Sequence, residues 1–184
     1  MARIAALEPE TMNDEQRSVA EAIAAGPRGA VRGPFKMLLH SPELADCVQR
    51  TGAYVRYRCD VPWKLRELAI LITARHWAAQ YEWFAHESEA RKAGLDDAVI
   101  EAVRTGETPE FTDDAEREIW RFCTELYANR RISEAAYAAV VARHGEKATV
   151  DLAGLLGHYN LIALTLNIFD VETPNGVMPL ALKA

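Results

Sequence analysis

The sequence predicts an all-α helical bundle, and three observations carry that expectation. Apolar residues recur at spacings of three and four along almost the whole 184-residue chain, and alanine is abundant. Strict apolar–polar alternation, the mark of a half-buried strand, is rare, and no alternation of strand and helix patterns appears that would build a parallel sheet. Hydrophobic residues make up 49% and charged residues 26% of the chain, ordinary globular usage with enough apolar side chains for one real core. No repeat, low-complexity tract or linker divides the chain, so the expectation is a single domain over residues 1–184.

The elements follow from their punctuation. Asn13 with Gln16 three residues on has the pattern of a capping box, so a first helix starts there and ends before Gly26. Residues 26–34 then read as a loop. Ser41-Pro42 sets a capping residue before a proline at the first helical position, predicting a helix to about Cys59. Asp60-Val61-Pro62 interrupts it and opens the next, whose Leu65, Leu68, Ala69, Ile70, Leu71, Ile72 and Ala74 cover most sides; such a helix belongs at the centre of the core. The pattern turns amphipathic around residues 78–80, and Gly94 stops it. Asp96 and Asp113, the second with Glu116 at plus three, start two helices separated by residues 105–109. Ser133 caps another that Gly145 closes. A last long helix, about residues 147–169, precedes an irregular tail with Thr173-Pro174-Asn175-Gly176.

Composition also excludes several functions. Twenty-one Lys and Arg stand against 27 Asp and Glu, a net charge of −6, and no basic run exceeds a pair such as Arg130-Arg131. That leaves no electrostatic footprint for nucleic acid. The most apolar stretch, residues 152–171, is interrupted by His158, Asn160, Asn167 and Asp170, which suits a buried core helix better than a membrane span. The first residues, MARIAALE, hold too short an apolar run for a secretory signal, so the expected location is the cytoplasm. Cys47, Cys59 and Cys123 form an odd set with no CxxC; they are read as reduced thiols, neither a disulfide framework nor a zinc site.

The densest ionisable and aromatic set is Arg75-His76-Trp77-Ala78-Ala79-Gln80-Tyr81-Glu82-Trp83-Phe84-Ala85-His86-Glu87. Glu82 and His86 are four apart and share a helical face, which allows either a proton-transfer pair or a solvated ion pair. Glu67 lies in an apolar run where a buried carboxylate needs a partner, unless it faces water beside Lys64 and Arg66. If it faces Glu82 and His86, two carboxylates share a site and one pKa rises. His86-Glu87-Ser88-Glu89-Ala90 begins like HExxH but lacks the second histidine, so metal-free chemistry without a cofactor is expected. The glycine-rich loop 26–33 lacks the GK[ST] ending of a phosphate-binding loop. Arg28, Arg32 and Arg75 are the candidate cations for a carboxylated ligand, and the sequence does not choose among them. His158, in the apolar final helix, reads first as a core histidine and second as a cavity residue. Trp77, Trp83 and Phe84 are cavity walls or core aromatics. The apolar tail Val177-Met178-Pro179-Leu180-Ala181-Leu182 suggests a surface covered in a homo-oligomer.

Arg66-Glu67-Leu68-Ala69-Ile70-Leu71, then Tyr81-Glu82-Trp83-Phe84-Ala85-His86, then Ala90-Arg91-Lys92-Ala93-Gly94-Leu95 together resemble the carboxymuconolactone decarboxylase family, which includes the alkyl hydroperoxidase D-like proteins. The match is specific over residues 62–95; Gly33-Pro34-Phe35 and the helix with His158 look like the longer members. The family core corresponds to about residues 35–125, with the N-terminal helix and the C-terminal helix and tail as extensions. The redox branch carries an upstream Glu and CxxCxxxH; with its His at His86, the cysteine positions fall on Ala79 and Glu82 and the upstream Glu on Glu67. Both thiols are absent, so the resemblance does not extend to thiol–disulfide chemistry. It implies instead an all-helical subunit, a trimer or hexamer, acting as a cofactor-free carboxy-lyase of aromatic catabolism on a small carboxylated lactone. In that reading His86 is the acid or shuttle, Glu82 orients it, Glu67 holds a second proton, and Tyr81, Trp83, Arg75 and His158 bind substrate. The competing expectations are a non-catalytic ligand-binding member and, with no CxxC, an antioxidant protein.

Overall fold

The computed structural model describes residues 2–181; Leu182, at the end of the apolar tail, lies outside the described residues. Among the described residues the regular structure is entirely helical: α1 (Asp14–Ala25), α2 (Pro34–Leu38), α3 (Pro42–Tyr57), α4 (Trp63–His76), α5 (Gln80–Lys92), α6 (Asp97–Thr105), α7 (Asp114–Asn129) and α8 (Glu134–Ile168), with short 3-10 turns at Pro9–Thr11 and Pro174–Gly176.

Most helix ends form where the capping residues place them. Asn13 accepts from the Gln16 backbone N–H at 2.9 Å while the Gln16 side chain accepts from the Asn13 N–H at 3.0 Å. Asp96, Asp113 and Ser133 each accept from a backbone N–H in the first turn of the helix that follows. Gly94 (φ 86°) ends α5. Gly145 (φ 82°, ψ 168°) breaks α8 at the point where the sequence ends one helix and starts another.

Three local expectations change. Ser41 makes no side-chain cap, and Pro42 alone marks the start of α3. Glu116 completes no capping box; its carboxylate reaches Lys64 Nζ at 2.6 Å and ties α7 to α4. The expected loop 26–34 ends in α2, opened by Pro34 behind a left-handed Gly33 (φ 52°).

Helix α4 is the hub. It packs on α5, α6, α7 and α8, and Leu68, Ala69, Leu71 and Ala74 are wholly buried. Burial of each leucine stabilises by about 1.5–3 kcal/mol, which is why an all-round apolar helix settles at the centre. A turn around Ala78 (φ 48°) folds α5 back along α4, so residues near the start of α4 face residues in the middle of α5. On the other side, α3 packs between α8 and α1. The tail is held within the protomer by Leu180, which is buried and whose backbone bonds the Gln80 amide at 2.9 and 3.0 Å; Val177 and Met178 remain exposed. No helix among the described residues is long and apolar enough to cross a membrane.

Candidate active site

The antiparallel pairing of α4 and α5 brings Glu67 and His86 together. Glu67 is 2% exposed and His86 4%. His86 Nδ1 lies 2.7 Å from Glu67 Oε2, and the Trp63 indole N–H donates to Glu67 Oε1 at 3.3 Å, so both carboxylate oxygens are engaged. With the carboxylate accepting, the ring hydrogen sits on Nδ1 and the Nε2 lone pair is left for a ligand. Burial lowers the His86 pKa, and the charge and hydrogen bond of Glu67 only partly oppose it. The imidazole is therefore neutral at pH 7, with the Tyr159 ring set edge-on at 5.0 Å.

Glu82 behaves differently. It is 2% exposed, neither of its oxygens has a hydrogen-bond partner, and burial holds its carboxyl well above the usual carboxylate range. It therefore persists as a neutral acid beyond the pH at which a surface glutamate ionises. The expectation that Glu82 orients His86 is corrected on this point. Spacing of four puts the two on one side of α5, but the imidazole turns across to α4 and takes Glu67 as its partner. A solvated ion pair is equally ruled out by burial.

His86 and Glu82 of α5 line a cavity of about 650 Å³ whose other walls come from α2 and the loop before it, from α3, from α8 and from Pro174. Tyr81 lines it, and so do Phe84, which the sequence left open between wall and core, and His158, whose first reading was a core histidine. Arg28 and Arg32 do as well, with Arg56 of α3 beside them. Arg75 and Trp83 do not: Trp83 is wholly buried in the core, and Arg75 packs against Gly106. Trp77 is also elsewhere, with its indole N–H donated to Asn160. His158 is driven down to about 3, first by burial and then by Arg28, and stays neutral.

Sequence reasoning missed Arg56, Tyr159 and Gly52. Gly52 left a readable signal: a glycine inside a helix costs about 0.5–1 kcal/mol relative to alanine and needs a reason. Its reason is space, since a Cβ at Gly52 would lie 2.2 Å from Arg28 Nη2 and 2.7 Å from His158 Nε2. Arg56 follows one turn later on the same helix.

No cysteine lines the cavity. Cys123 is wholly buried, with its thiol pushed up to about 12; Cys59 is buried and donates to the Val55 carbonyl; Cys47 is exposed on α3. Among the described residues no three His, Cys, Asp or Glu side chains converge as metal ligands.

No protein-family model matches the sequence, and no curated protein does. A solved structure matches over almost its full length: the alkylhydroperoxidase AhpD core of an uncharacterized peroxidase-related protein from Ralstonia eutropha JMP134, with a TM-score of 0.74, 17% identity, and 99% of this chain and 98% of that one covered. The fold is that of the AhpD core. At this identity the likeness is one of architecture, and the chemistry lies in this chain's own cavity.

Proposed function

We propose that this chain is a cofactor-free proton-transfer enzyme of the carboxymuconolactone decarboxylase type, a carbon–carbon lyase acting on a small carboxylated lactone or related ring compound. The observation that carries the reading is the pair of buried groups in one cavity with opposite protonation: a neutral imidazole held by Glu67, and a neutral carboxylic acid at Glu82. His86 Nε2 takes the proton of the reacting carboxyl. The bond from that carboxyl to the ring breaks, carbon dioxide leaves, and its electron pair stays on the ring as a delocalised enolate. Glu82 gives its proton to carbon, and the proton on His86 returns to Glu82 through water, so the cycle closes without a redox change.

Assembly as a homo-oligomer, trimer or hexamer, belongs to the same proposal. Val150, Gly154, Gly157, Leu161, Leu164 and Ile168 follow one another at spacings of four and three along α8, and all but the half-buried Leu161 are exposed. Light scattering that gives a monomer would contradict it.

The test of function is turnover by wild type and His86→Ala on a panel of carboxylactones, without added thiol or metal, following carbon dioxide release. The expected result is release by wild type that falls by about 100-fold or more in the variant, the usual range for a lost acid–base group. Unchanged release in His86→Ala contradicts the proposal. So does a wild type that ignores every lactone but reduces an alkyl hydroperoxide when given a dithiol, the outcome for an antioxidant protein.

A further inference from the structure

Of the guanidinium groups that line the cavity, those of Arg28 and Arg56 lie over aromatic rings. The Arg28 side chain makes no hydrogen bond through Nε or Nη2, although both atoms are buried. Its plane lies over the Phe35 ring at 4.5 Å, and burial and the nearby charge of Arg56 both lower its pKa. Arg56 lies over Tyr57 at 5.2 Å. Nε and Nη2 form one edge of the guanidinium, the edge that meets the two oxygens of a carboxylate side-on. A cation with one edge unpaired, next to a second cation, is poorly satisfied in the empty cavity. An incoming anion removes both costs.

We propose that Arg28, supported by Arg56, is the seat for a carboxylate of the ligand, and that Gly52 sets how that seat is shaped. This rests on the proposed function for its place in catalysis, but the binding itself needs no turnover. Arg28 lines the cavity with that edge unpaired, and a planar carboxylate whose two oxygens meet it replaces two unmet donors with two charge-assisted bonds. The carboxylate so held is one the reaction retains. A guanidinium clamped on the departing group would favour the ground state, because that charge disappears as carbon dioxide forms. Gly52 permits the arrangement, since any Cβ there would collide with Arg28 Nη2 and with the neutral His158 ring beside it. Phe35, Tyr57 and Tyr81 offer apolar faces to the ring that carries the carboxylate. The class of ligand is thus a small cyclic carboxylate, not a neutral ring.

The experiment is equilibrium binding of benzoate, benzamide and inorganic phosphate, by calorimetry, to wild type, Arg28→Gln, Gly52→Ala and His86→Ala. Circular dichroism confirms that each variant is folded. The expected result is that benzoate binds wild type at least about tenfold more tightly than benzamide, which has the same shape without the charge. Arg28→Gln and Gly52→Ala each remove most of that preference, and His86→Ala keeps it. Arg28 is a partly exposed loop residue, so the Arg28→Gln readout does not depend on a damaged core; Gly52→Ala adds a methyl group at a buried position, and Arg28→Gln carries the test on its own if that variant does not fold. Equal binding of benzoate and benzamide, a preference untouched by Arg28→Gln, no benzoate binding at all, or phosphate binding more tightly than benzoate would each overturn the assignment. Benzoate binding that depends on Arg28, in a protein that turns over no carboxylactone, leaves this inference standing and removes the proposed function; turnover without that dependence does the reverse.

Discussion

Two buried polar clusters flank α4, and they are built on opposite terms. Towards the C-terminal end of α4, Thr73 Oγ1 donates to the Ala69 carbonyl at 2.8 Å and meets the Tyr127 hydroxyl at 2.8 Å. Asn160 Nδ2 donates to the same hydroxyl at 3.0 Å and to the Leu156 carbonyl at 2.7 Å, and the Trp77 indole N–H donates to Asn160 Oδ1. This cluster closes on itself. On the cavity side, Glu67 and His86 satisfy one another, but Glu82 and Arg28 each leave two buried polar atoms without a partner. Unpartnered buried atoms occur elsewhere, at Arg66, Arg75, Trp83 and His144, but only one at each. A closed network stabilises; an open one gives up stability to keep groups free for a ligand.

That contrast can be broken most sharply by substitution on each side. His86→Ala is expected to cut turnover by about 10²–10⁴-fold. Tyr127→Phe, on the closed side, is expected to leave turnover within about twofold, because Tyr127 lies outside the cavity. Similar losses from both would erase the distinction. Stability should move the other way. Tyr127→Phe removes the hydroxyl that serves Thr73 and Asn160 and is expected to lower the unfolding free energy by about 1–3 kcal/mol in urea titration. Glu82→Leu removes an unpartnered buried carboxyl at similar volume, and is expected to raise it by about 1–2 kcal/mol while turnover falls. A destabilised Glu82→Leu would show that Glu82 has a partner.

The pH dependence sharpens the same point more gently. Turnover needs neutral His86 and protonated Glu82. The acid limb should therefore lie below the ordinary histidine value of 6.5, and the alkaline limb well above the ordinary glutamate value of 4.5. Stability follows the same two groups. The contribution of Glu82 is fully present below its unfolded pKa and is lost as pH rises through its raised folded value, so Glu82→Gln should flatten the alkaline fall. His86 takes up a proton less readily folded than unfolded, so its contribution is present above pH 6.5 and is lost as pH falls. An acid limb above 6.5 would mean that the fold raises the His86 pKa, the opposite of what its burial does.

The helices were legible in the sequence because their ends are written locally. Asn13, Asp96, Asp113 and Ser133 cap by side-chain bonds within a few residues, and Gly94 and Gly145 adopt backbone angles that favour glycine. Helix α2 was hidden because five residues are too few for a periodic pattern. Glu67, Glu82 and His86 could be named from one stretch of chain, yet their pairing could not. Spacing along α5 links Glu82 to His86, whereas the bond that forms joins α5 to α4 through the turn at Ala78. The cations show the same limit. Arg28 was one of three candidates, and only the packing of α3 against α8 separates it from Arg75 and brings in Arg56 and Tyr159. Gly52 was the one trace of that packing left in the sequence.

Burial keeps His86 neutral, and Glu67 fixes its hydrogen on Nδ1 and leaves Nε2 free. Nitrogen-15 NMR of the His86 ring, titrated in wild type and Glu67→Gln, reads this directly. The expected result is a neutral Nδ1–H tautomer in wild type at pH 7, protonating only below the ordinary histidine value of 6.5, and loss of that tautomer preference in Glu67→Gln. An imidazolium at pH 7, or an Nε2–H tautomer in wild type, would contradict it.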